Sequence, residues 1–473
     1  MKRKITTIWM ICFFLIGAGA TLFFEQEQKE MPETIETVAN IKNTKKINQA
    51  LEVIMDKYVG DVSESELIEG AIMGMLQKLD DPYSVYMDKE SSQQFKDSLG
   101  SSFQGIGAEV TQQDGKTIIV SPIKNSPAEK AGLKAKDEII AVDGQSVSGW
   151  KLHEVTTKIR GEKGSKVKLT IKRLSTNQSI DLEVVREEIP NITVHSELKQ
   201  FRGKNIGYIE ISSFSDDTSM EFTKQLSSLE SVGLEGLIID VRDNPGGRLD
   251  TVQEIANHFI TDKKAVVQIQ QRDGDVSTYH SSTIDKKPYE VVVLINEGSA
   301  SASEILAAAL NESQGYDLVG QTTFGKGTVQ QTVAMGDGST IKLTVYKWLT
   351  PDGNWIHQKG VAPTVAVQPS KLHNLHPIQL TKELEKEMNN EQVKYVQEIL
   401  DSLGYSPGRT DGYYSDKTVV SVRAYQQANG LEVTGKVNRL TIEKMQAEIE
   451  QLVNQEKLDL QLQTAIRLLT KND

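Results

Sequence analysis

The chain is poor in cysteine: its 473 residues contain one, Cys12. A single thiol cannot close an intramolecular disulfide. With no CxxC and no Cys/His cluster, a structural zinc site is excluded as well. Clustered basic residues are also missing, and the formal net charge is −12. Neutralising phosphates needs grouped Lys and Arg, so nucleic acid is excluded as a partner. Past residue 24 there is no long apolar run, which excludes a polytopic membrane protein. None of the seven histidines (153, 195, 258, 280, 357, 373 and 376) sits in an HExxH pattern, and there is no Walker-type phosphate loop. What remains is ordinary for a folded globular chain, with 38% hydrophobic and 25% charged residues and a length that suggests about three domains.

The one long apolar stretch is at the start. Lys2, Arg3 and Lys4 precede an uncharged run of 20 residues, Ile5 to Phe24, about the length that crosses a hydrocarbon core. The basic flank predicts the N-terminus inside and the rest outside. Two readings stay open: an uncleaved signal anchor over 1–24, or a signal peptide cleaved after Ala18-Gly19-Ala20. The run continues through Thr21-Leu22-Phe23-Phe24, which favours the anchor. Either way the expected location is extracytoplasmic, anchored to the cell membrane or secreted. Cys12 lies within the run, so the exported part has no cysteine, and removing the three basic residues takes its charge to −15.

Residues 25–44 read as a polar tether, and 45–94 as a helical arm. Ser63-x-x-Glu66 is a capping box, followed by a stripe of Leu67, Ile68, Ala71, Ile72, Met75, Leu76 and Leu79 at helical spacing. The stripe fits two roles, packing on the neighbouring helix or pairing two copies as a homodimer. Residues 95–186 turn to short β segments. From 187 to 370 strands and helices alternate, which predicts an α/β layer; Gly236–Val241 and Val291–Asn296 are the apolar runs of buried parallel strands. A small helical module follows over 385–447, then an amphipathic tail over 448–473 expected to make an oligomer contact.

Two segments carry chemistry. In Asn296-Glu297-Gly298-Ser299-Ala300-Ser301-Ala302-Ser303-Glu304, a buried strand gives way to a turn of small residues and then a helix. The carboxyl end of such a strand is where an α/β sheet presents reactive groups, and a helix N-terminus favours developing negative charge. Caps and small packing residues are the bland account of the same serines. Further on, Lys326 stands between Gly325 and Gly327. Burial there disfavours the ammonium and leaves a neutral amine able to deprotonate a serine; a lysine in a surface loop is the bland account. Asp240 and Asp243 flank Arg242 and read as holding that residue or its turn, and His357 reads as structural.

Together "YIEISSFS", "GLIIDVRDNPGG", "EGSASASEILAAAL", "GQTTFGKGTVQ" and "YKWLTPDGNWIHQKGVAPT" resemble the C-terminal processing peptidases, also called tail-specific proteases. The resemblance implies a multidomain α/β protein with a crotonase/ClpP-like peptidase core. It implies Ser301 as nucleophile, Lys326 as general base 25 residues on, and Gln330 orienting the amine. Ser299 and Ser303 are then decoys. The oxyanion hole is implied at the N–H of Ala302 with that of Gly246 or Gly247, and no metal or organic cofactor is implied. Within 95–186, "GIGAEV" and "SPAEKAGLKAKDEIIAVDGQSV" resemble a PDZ domain. That implies capture of an unstructured substrate C-terminus by strand addition, with donors around Gly105, Ile106, Gly107 and Ala108 and a side-chain pocket lined by Val155 and Ile159. Arg160 is either a regulatory contact to the protease body or a solvated helix-end cation. "LGYSPGRTDGYYSDKT" and "AYQQANGLEVTGKV" resemble a three-helix peptidoglycan-binding domain, with packing or subunit pairing as the alternative role. A catalytically silent wall-associated scaffold and, remotely, a crotonase-like lyase are the competing functions.

Overall fold

The computed structural model describes residues 44–113, 115–173, 178–283, 285–369, 378, 380–453 and 459–471. The expected membrane segment at 5–24 and the tether through residue 43 lie outside the described residues. Among the described residues no helix is long and apolar enough to cross a membrane. The chain divides into two units, one ending at Pro82 and the other starting at Tyr83.

The first unit is a helical pair, α1 (Thr44–Lys57) and α2 (Glu64–Gln77). Ser63 caps α2, its hydroxyl accepting from the Glu66 N–H at 3.5 Å. Neither helix has a buried residue, and Ile47, Ile54, Met55, Ile68 and Met75 are all exposed. The pair therefore does not cover its own apolar stripe.

The second unit opens with β1 (Val85–Met87) and α3 (Lys89–Leu99), residues expected largely in the arm. Instead β1 pairs antiparallel with β18 (Thr340–Leu349), Tyr86 lying opposite Ile341, so the arm stops short of residue 94. Next come β2 (Ser102–Gly105), β3 (Ala108–Gln113), β4 (Lys116–Pro122), α4 (Pro127–Lys130), β5 (Asp137–Val142), β6 (Gln145–Ser146), α5 (Leu152–Ile159), β7 (Lys166–Arg173), β8 (Gln178–Val185) and β9 (Glu187–Pro190). They form a sheet of order β3-β4-β5-β7-β8 with β6 on β5, while β2 and β9 pair as a neck. Alternation along β7 sends Val167, Leu169 and Ile171 inward to Ile119 and Val155. Strand β3 is left at the sheet edge.

The peptidase layer follows: β10 (Val194–Phe201), β11 (Lys204–Ile211), α6 (Thr218–Ser231), β12 (Gly236–Asp240), α7 (Leu249–Ala256), β13 (Ala265–Gln270), β14 (Val276–His280), β15 (Glu290–Ile295), α8 (Ala302–Gln314), β16 (Asp317–Gly320), β17 (Thr328–Ala334) and β19 (Val365–Ala366). The main sheet has the order β10-β11-β12-β15-β16-β19, parallel from β11 onward. Its central strands are apolar throughout because both faces are covered. Leu237, Ile239, Val291 and Val293 join the core under α6, α7 and α8, whereas Ile238, Val292 and Leu294 face the other side. A second sheet joins β1, β18, β13 and β14, with β17 on β18.

Helices α9 (Glu391–Ser402), α10 (Asp416–Ala428) and α11 (Arg439–Val453) enclose a separate core around Val396, Leu400, Tyr414, Tyr425 and Met445. Two buried glutamines organise it alike: Gln397 accepts from the Gly412 N–H and Gln426 from the Gly435 N–H, both at 2.9 Å. The tail does not present its apolar residues outward as expected. Its helix α12 (Leu460–Leu469) returns to the peptidase sheet and buries Leu462, Ala465 and Ile466 on Ile206, Ile238 and Val292. The apolar face read as an oligomer contact is the second cover of this chain's own sheet.

Candidate active site

The site forms where β12 and β15 end. After β15, Asn296 closes a turn, its Oδ1 accepting from Gly298 N at 3.0 Å and from Asp243 N at 2.9 Å. Ser299 is fully buried; its hydroxyl donates to Val241 O at 2.7 Å and accepts from Asn296 N at 3.0 Å. Ser303 is also fully buried, donating to Asn244 O at 2.8 Å. Between them Ser301 is half-buried, at the N-cap of α8, with φ 54 and ψ −110. A serine held at positive φ persists only where its surroundings over-determine it, as at the strained turns that present functional side chains. Two of the three serines are thus structural, and Ser301 is the one open to a ligand.

The turn after β12 supports this strand-to-helix elbow. Asn244, fully buried, accepts Ala300 N on its backbone oxygen at 3.0 Å and donates its side-chain amide to Ile211 O at 2.7 Å. Gly246, at φ 100, lies so close that an added Cβ would sit 2.9 Å from Ser301 Cβ and 3.0 Å from Ala302 N. Its own N–H donates to Asn244 Oδ1 at 2.8 Å, which corrects one of the two expected oxyanion donors: Gly246 serves close approach, and its donor is engaged within the turn. Gly247, at φ 150, leaves no room for a side chain, since a Cβ would lie 2.0 Å from Phe214 O. Ala302, the first residue of α8, has an N–H with no intrahelical partner.

The lysine loop joins β16 to β17. Lys326 is half-buried, and its Nζ lies 5.0 Å from the Tyr83 ring centroid. Two tryptophans pin its backbone: Trp348 Nε1 donates to Lys326 O at 2.7 Å and Trp355 Nε1 to Gly327 O at 2.8 Å. His357 stacks on Trp355 at 5.1 Å and accepts from Gly327 N through Nδ1 at 3.3 Å, consistent with a structural role. Gln330 donates to Thr328 Oγ1 at 3.0 Å and Thr344 Oγ1 at 3.1 Å, which fixes its amide plane.

A residue that the sequence reading passed over joins the two halves. Glu304, fully buried on the first turn of α8, accepts Ser301 N at 2.8 Å and Lys326 N at 2.9 Å on Oε2. Its Oε1 accepts Thr323 Oγ1 at 2.5 Å and Gly325 N at 2.7 Å. Sharing one oxygen, the backbone nitrogens of Ser301 and Lys326 are no more than 5.7 Å apart, the two bond lengths laid end to end. The signal was present: Ser301-x-x-Glu304 is a capping-box spacing.

Four family models match the chain: peptidase family S41 over 205–367, the PDZ domain over 104–184, the N-terminal domain of the activating protease CtpB over 14–91, and the peptidoglycan binding domain over 389–445. The chain is 50% identical over 480 residues to the carboxy-terminal processing protease CtpB of Bacillus subtilis, with all of both chains covered. The chain belongs to the carboxy-terminal processing proteases. It is also 40% identical to CtpA of Bacillus subtilis, again with both chains wholly covered. A CtpA-like serine protease of Staphylococcus aureus is 36% identical over 94% of this chain and 89% of its own. The protein is therefore a multidomain α/β hydrolase of the serine-protease class with PDZ and peptidoglycan-binding-like domains.

The PDZ residues are placed as follows. Gly107, at φ 72, would clash through a Cβ with Ser126 Cβ at 2.5 Å, and its carbonyl accepts from Ile123 N at 2.9 Å. Gly105, Ile106 and Gly107 are buried and Ala108 half-buried at the start of edge strand β3. Val155 and Ile159, expected to line the side-chain pocket, are 0% and 5% exposed and pack inside the PDZ core. Arg160 contacts the rest of the unit. It pairs with Asp97 of α3 at 3.0 Å and lies 5.3 Å from the Phe103 ring centroid. In turn α3 meets β18 through Ser92 and Thr340 at 2.6 Å, and through Lys342 over Phe95 at 4.9 Å. Burial lowers the pKa of that Lys342.

Proposed function

We propose that the protein hydrolyses substrate polypeptides with Ser301 as nucleophile and Lys326 as general base. The observation that carries this reading is the Glu304 carboxylate, which holds the backbones of both residues on one oxygen. Lys326, as a neutral amine, takes the Ser301 Oγ proton while the oxygen attacks the scissile carbonyl. The oxyanion of the tetrahedral intermediate is met by the N–H groups of Ala302 and Gly247, and each such donor is worth about 3 kcal/mol. Its collapse expels the leaving amine, which takes the proton from Lys326. A water deprotonated by the same lysine then hydrolyses the acyl-enzyme and regenerates Ser301. Gln330, tied by its amide nitrogen to Thr328 and Thr344, orients the amine by hydrogen bonding.

The rest of the chain supplies the substrate and the location. The open edge of β3 takes an unstructured C-terminal tail as an added strand, with its carboxylate at the Gly105–Ala108 loop. The Arg160–Asp97 link through α3 to β18 gives peptide binding a route to the strand that holds Gln330, so the PDZ domain gates the site. The uncovered stripe of α1 and α2 pairs two copies as a homodimer. Residues 5–24 hold the enzyme on the outer side of the cell membrane, where the C-terminal three-helix domain binds peptidoglycan.

The deciding experiment compares Ser301→Ala with Ser299→Ala and Ser303→Ala on a partly unfolded protein substrate. Ser301→Ala abolishes cleavage while the folded protein remains; cleavage that survives it overturns the assignment. For the gate, 95–186 are deleted and peptide cleavage is measured. Unchanged activity and substrate choice would sink it.

A further inference from the structure

Helix α12 brings two polar residues to the turn that supports the nucleophile. Arg242, at the head of that turn, donates Nε and Nη2 to Asp240 at 3.0 and 2.6 Å. Its Nη1 donates to Asp459 Oδ1 and Gln461 Oε1, both at 3.0 Å, and Nη2 pairs with Asp459 Oδ2 at 2.8 Å. The site is nearly dry: the Arg242, Asp240 and Asp459 side chains are 18%, 4% and 16% exposed, and Gln461 is 3% exposed. Burial works against the guanidinium charge, yet Asp240 and then Asp459 hold its pKa above the ordinary arginine value. Gln461 also donates to Val367 O at 2.9 Å, so both ends of its amide are engaged. The helix is anchored separately by its apolar face, which makes these contacts additional to packing.

The path from this clamp to the elbow is short. Asp243, next after Arg242, is bonded to Asn296 on both N–H and carboxylate, each at 2.9 Å. Asn244 then holds Ala300 and Ser303, the residues on either side of the Ser301–Ala302 step. We infer that Asp459 and Gln461 are positioning residues for peptide hydrolysis. Acting through Arg242, they fix the turn carrying Asn244 and Gly246 against the Ser301 elbow. The segment beyond the peptidoglycan-binding-like domain is thereby part of the active-site scaffold. This rests on Ser301 being the nucleophile.

The test uses the full chain with Asp459→Ala, Gln461→Ala and Asp459→Glu beside wild type and Ser301→Ala. Three quantities are read: kcat and KM on a peptide, the rate of covalent labelling by a serine-directed fluorophosphonate, and the urea unfolding curve. Asp459→Ala is expected to lower kcat and the labelling rate together by about ten-fold or more with KM within about two-fold. Gln461→Ala does the same by about three-fold or more, and Asp459→Glu recovers most of the loss. Wild-type kcat and labelling in both alanine variants overturn the inference, as does a loss that only tracks the unfolded fraction. If Asp459→Ala does not fold, Gln461→Ala and Asp459→Glu carry the same comparison. Activity retained by Ser301→Ala marks failure of the nucleophile assignment instead and is read independently of Asp459.

Discussion

Glu304 is the residue at which stability and catalysis can be separated by two substitutions. Four donors converge on its carboxylate, and it has no water-facing edge. In Glu304→Gln one oxygen becomes an NH2 group, which must face two of those donors. On the Oε2 side both are backbone N–H groups, Ser301 and Lys326, and neither can turn away. On the Oε1 side one partner is the Thr323 hydroxyl, which already accepts from Val361 N at 2.7 Å and has a second lone pair to offer. The amide therefore settles with its NH2 toward Thr323, which strands the Gly325 N–H and takes the acceptor from the Thr323 hydroxyl, whose hydrogen is free to rotate. A stranded buried donor costs about 1–3 kcal/mol. Glu304→Gln should thus lose about 1–3 kcal/mol yet keep kcat within about ten-fold, because its remaining oxygen still joins Ser301 to Lys326.

Glu304→Ala strands all four donors and opens a void, so its expected cost is roughly 3–5 kcal/mol, near the top of the range for single substitutions. With the shared oxygen gone, kcat should fall by at least about 100-fold in the fraction that remains folded. Urea denaturation gives the first number; steady-state cleavage, corrected for folded fraction, gives the second. If Glu304→Ala stays within about 1 kcal/mol of wild type and retains kcat, the carboxylate does not link Ser301 to Lys326.

Other outcomes follow from single contacts. Gly247→Ala would put a methyl 2.0 Å from Phe214 O and should cost about 2–4 kcal/mol in urea denaturation, or prevent folding. Trp348→Phe keeps most of the ring but removes the 2.7 Å bond to Lys326 O, for an expected loss of about 1–2 kcal/mol with a larger fall in kcat than in 1/KM. His258 has its pKa lowered, first by burial and then by Lys287. The unfolded chain therefore binds more protons below the ordinary histidine value of about 6.5, and stability should fall as pH drops through that region. His258→Asn should flatten that part of the pH–stability curve, and an unchanged slope refutes the assignment.

The elements most legible in the sequence were those whose signal is contiguous. Leu237, Ile238 and Ile239 are consecutive apolar residues because alternate side chains enter two different cores, which a single window of sequence already displays. Likewise, a strand, a turn of small residues and a helix around Ser301 stand in one stretch of sequence. Residue type and spacing alone do not separate the three serines, and only the family resemblance singled out Ser301, because their burial depends on partners far along the chain. Ser299 and Ser303 are closed off by Val241 and Asn244, each about sixty residues away. Val155 and Ile159 show a related limit: helical spacing marks the apolar face but does not say whether that face meets a core or a groove. The tail was misread in the same way, since an amphipathic stripe is equally suited to a partner and to the chain's own sheet.

These cases point to how this site is built. Ser301 and Lys326 lie on separate loops, yet the backbone of each is bonded to buried groups from elsewhere: Glu304 beneath both, Asn244 beside the serine, Trp348 and Trp355 behind the lysine. Backbone anchoring fixes where the Ser301 and Lys326 side chains begin. It also explains the glycines at 246, 247, 325 and 327. At each a Cβ would meet backbone or ring atoms at 3.0 Å or less: Gly246 lies against Ala300–Ala302, Gly247 against Phe214, and Gly325 and Gly327 against residues 355–360, all closer than a side chain allows. A motif rich in glycine and small residues is then the sequence record of a loop pressed against a neighbouring backbone segment. Close approach is set by what those residues lack, and the groups that hold Ser301 and Lys326, Glu304 above all, carry no such record beyond a capping spacing.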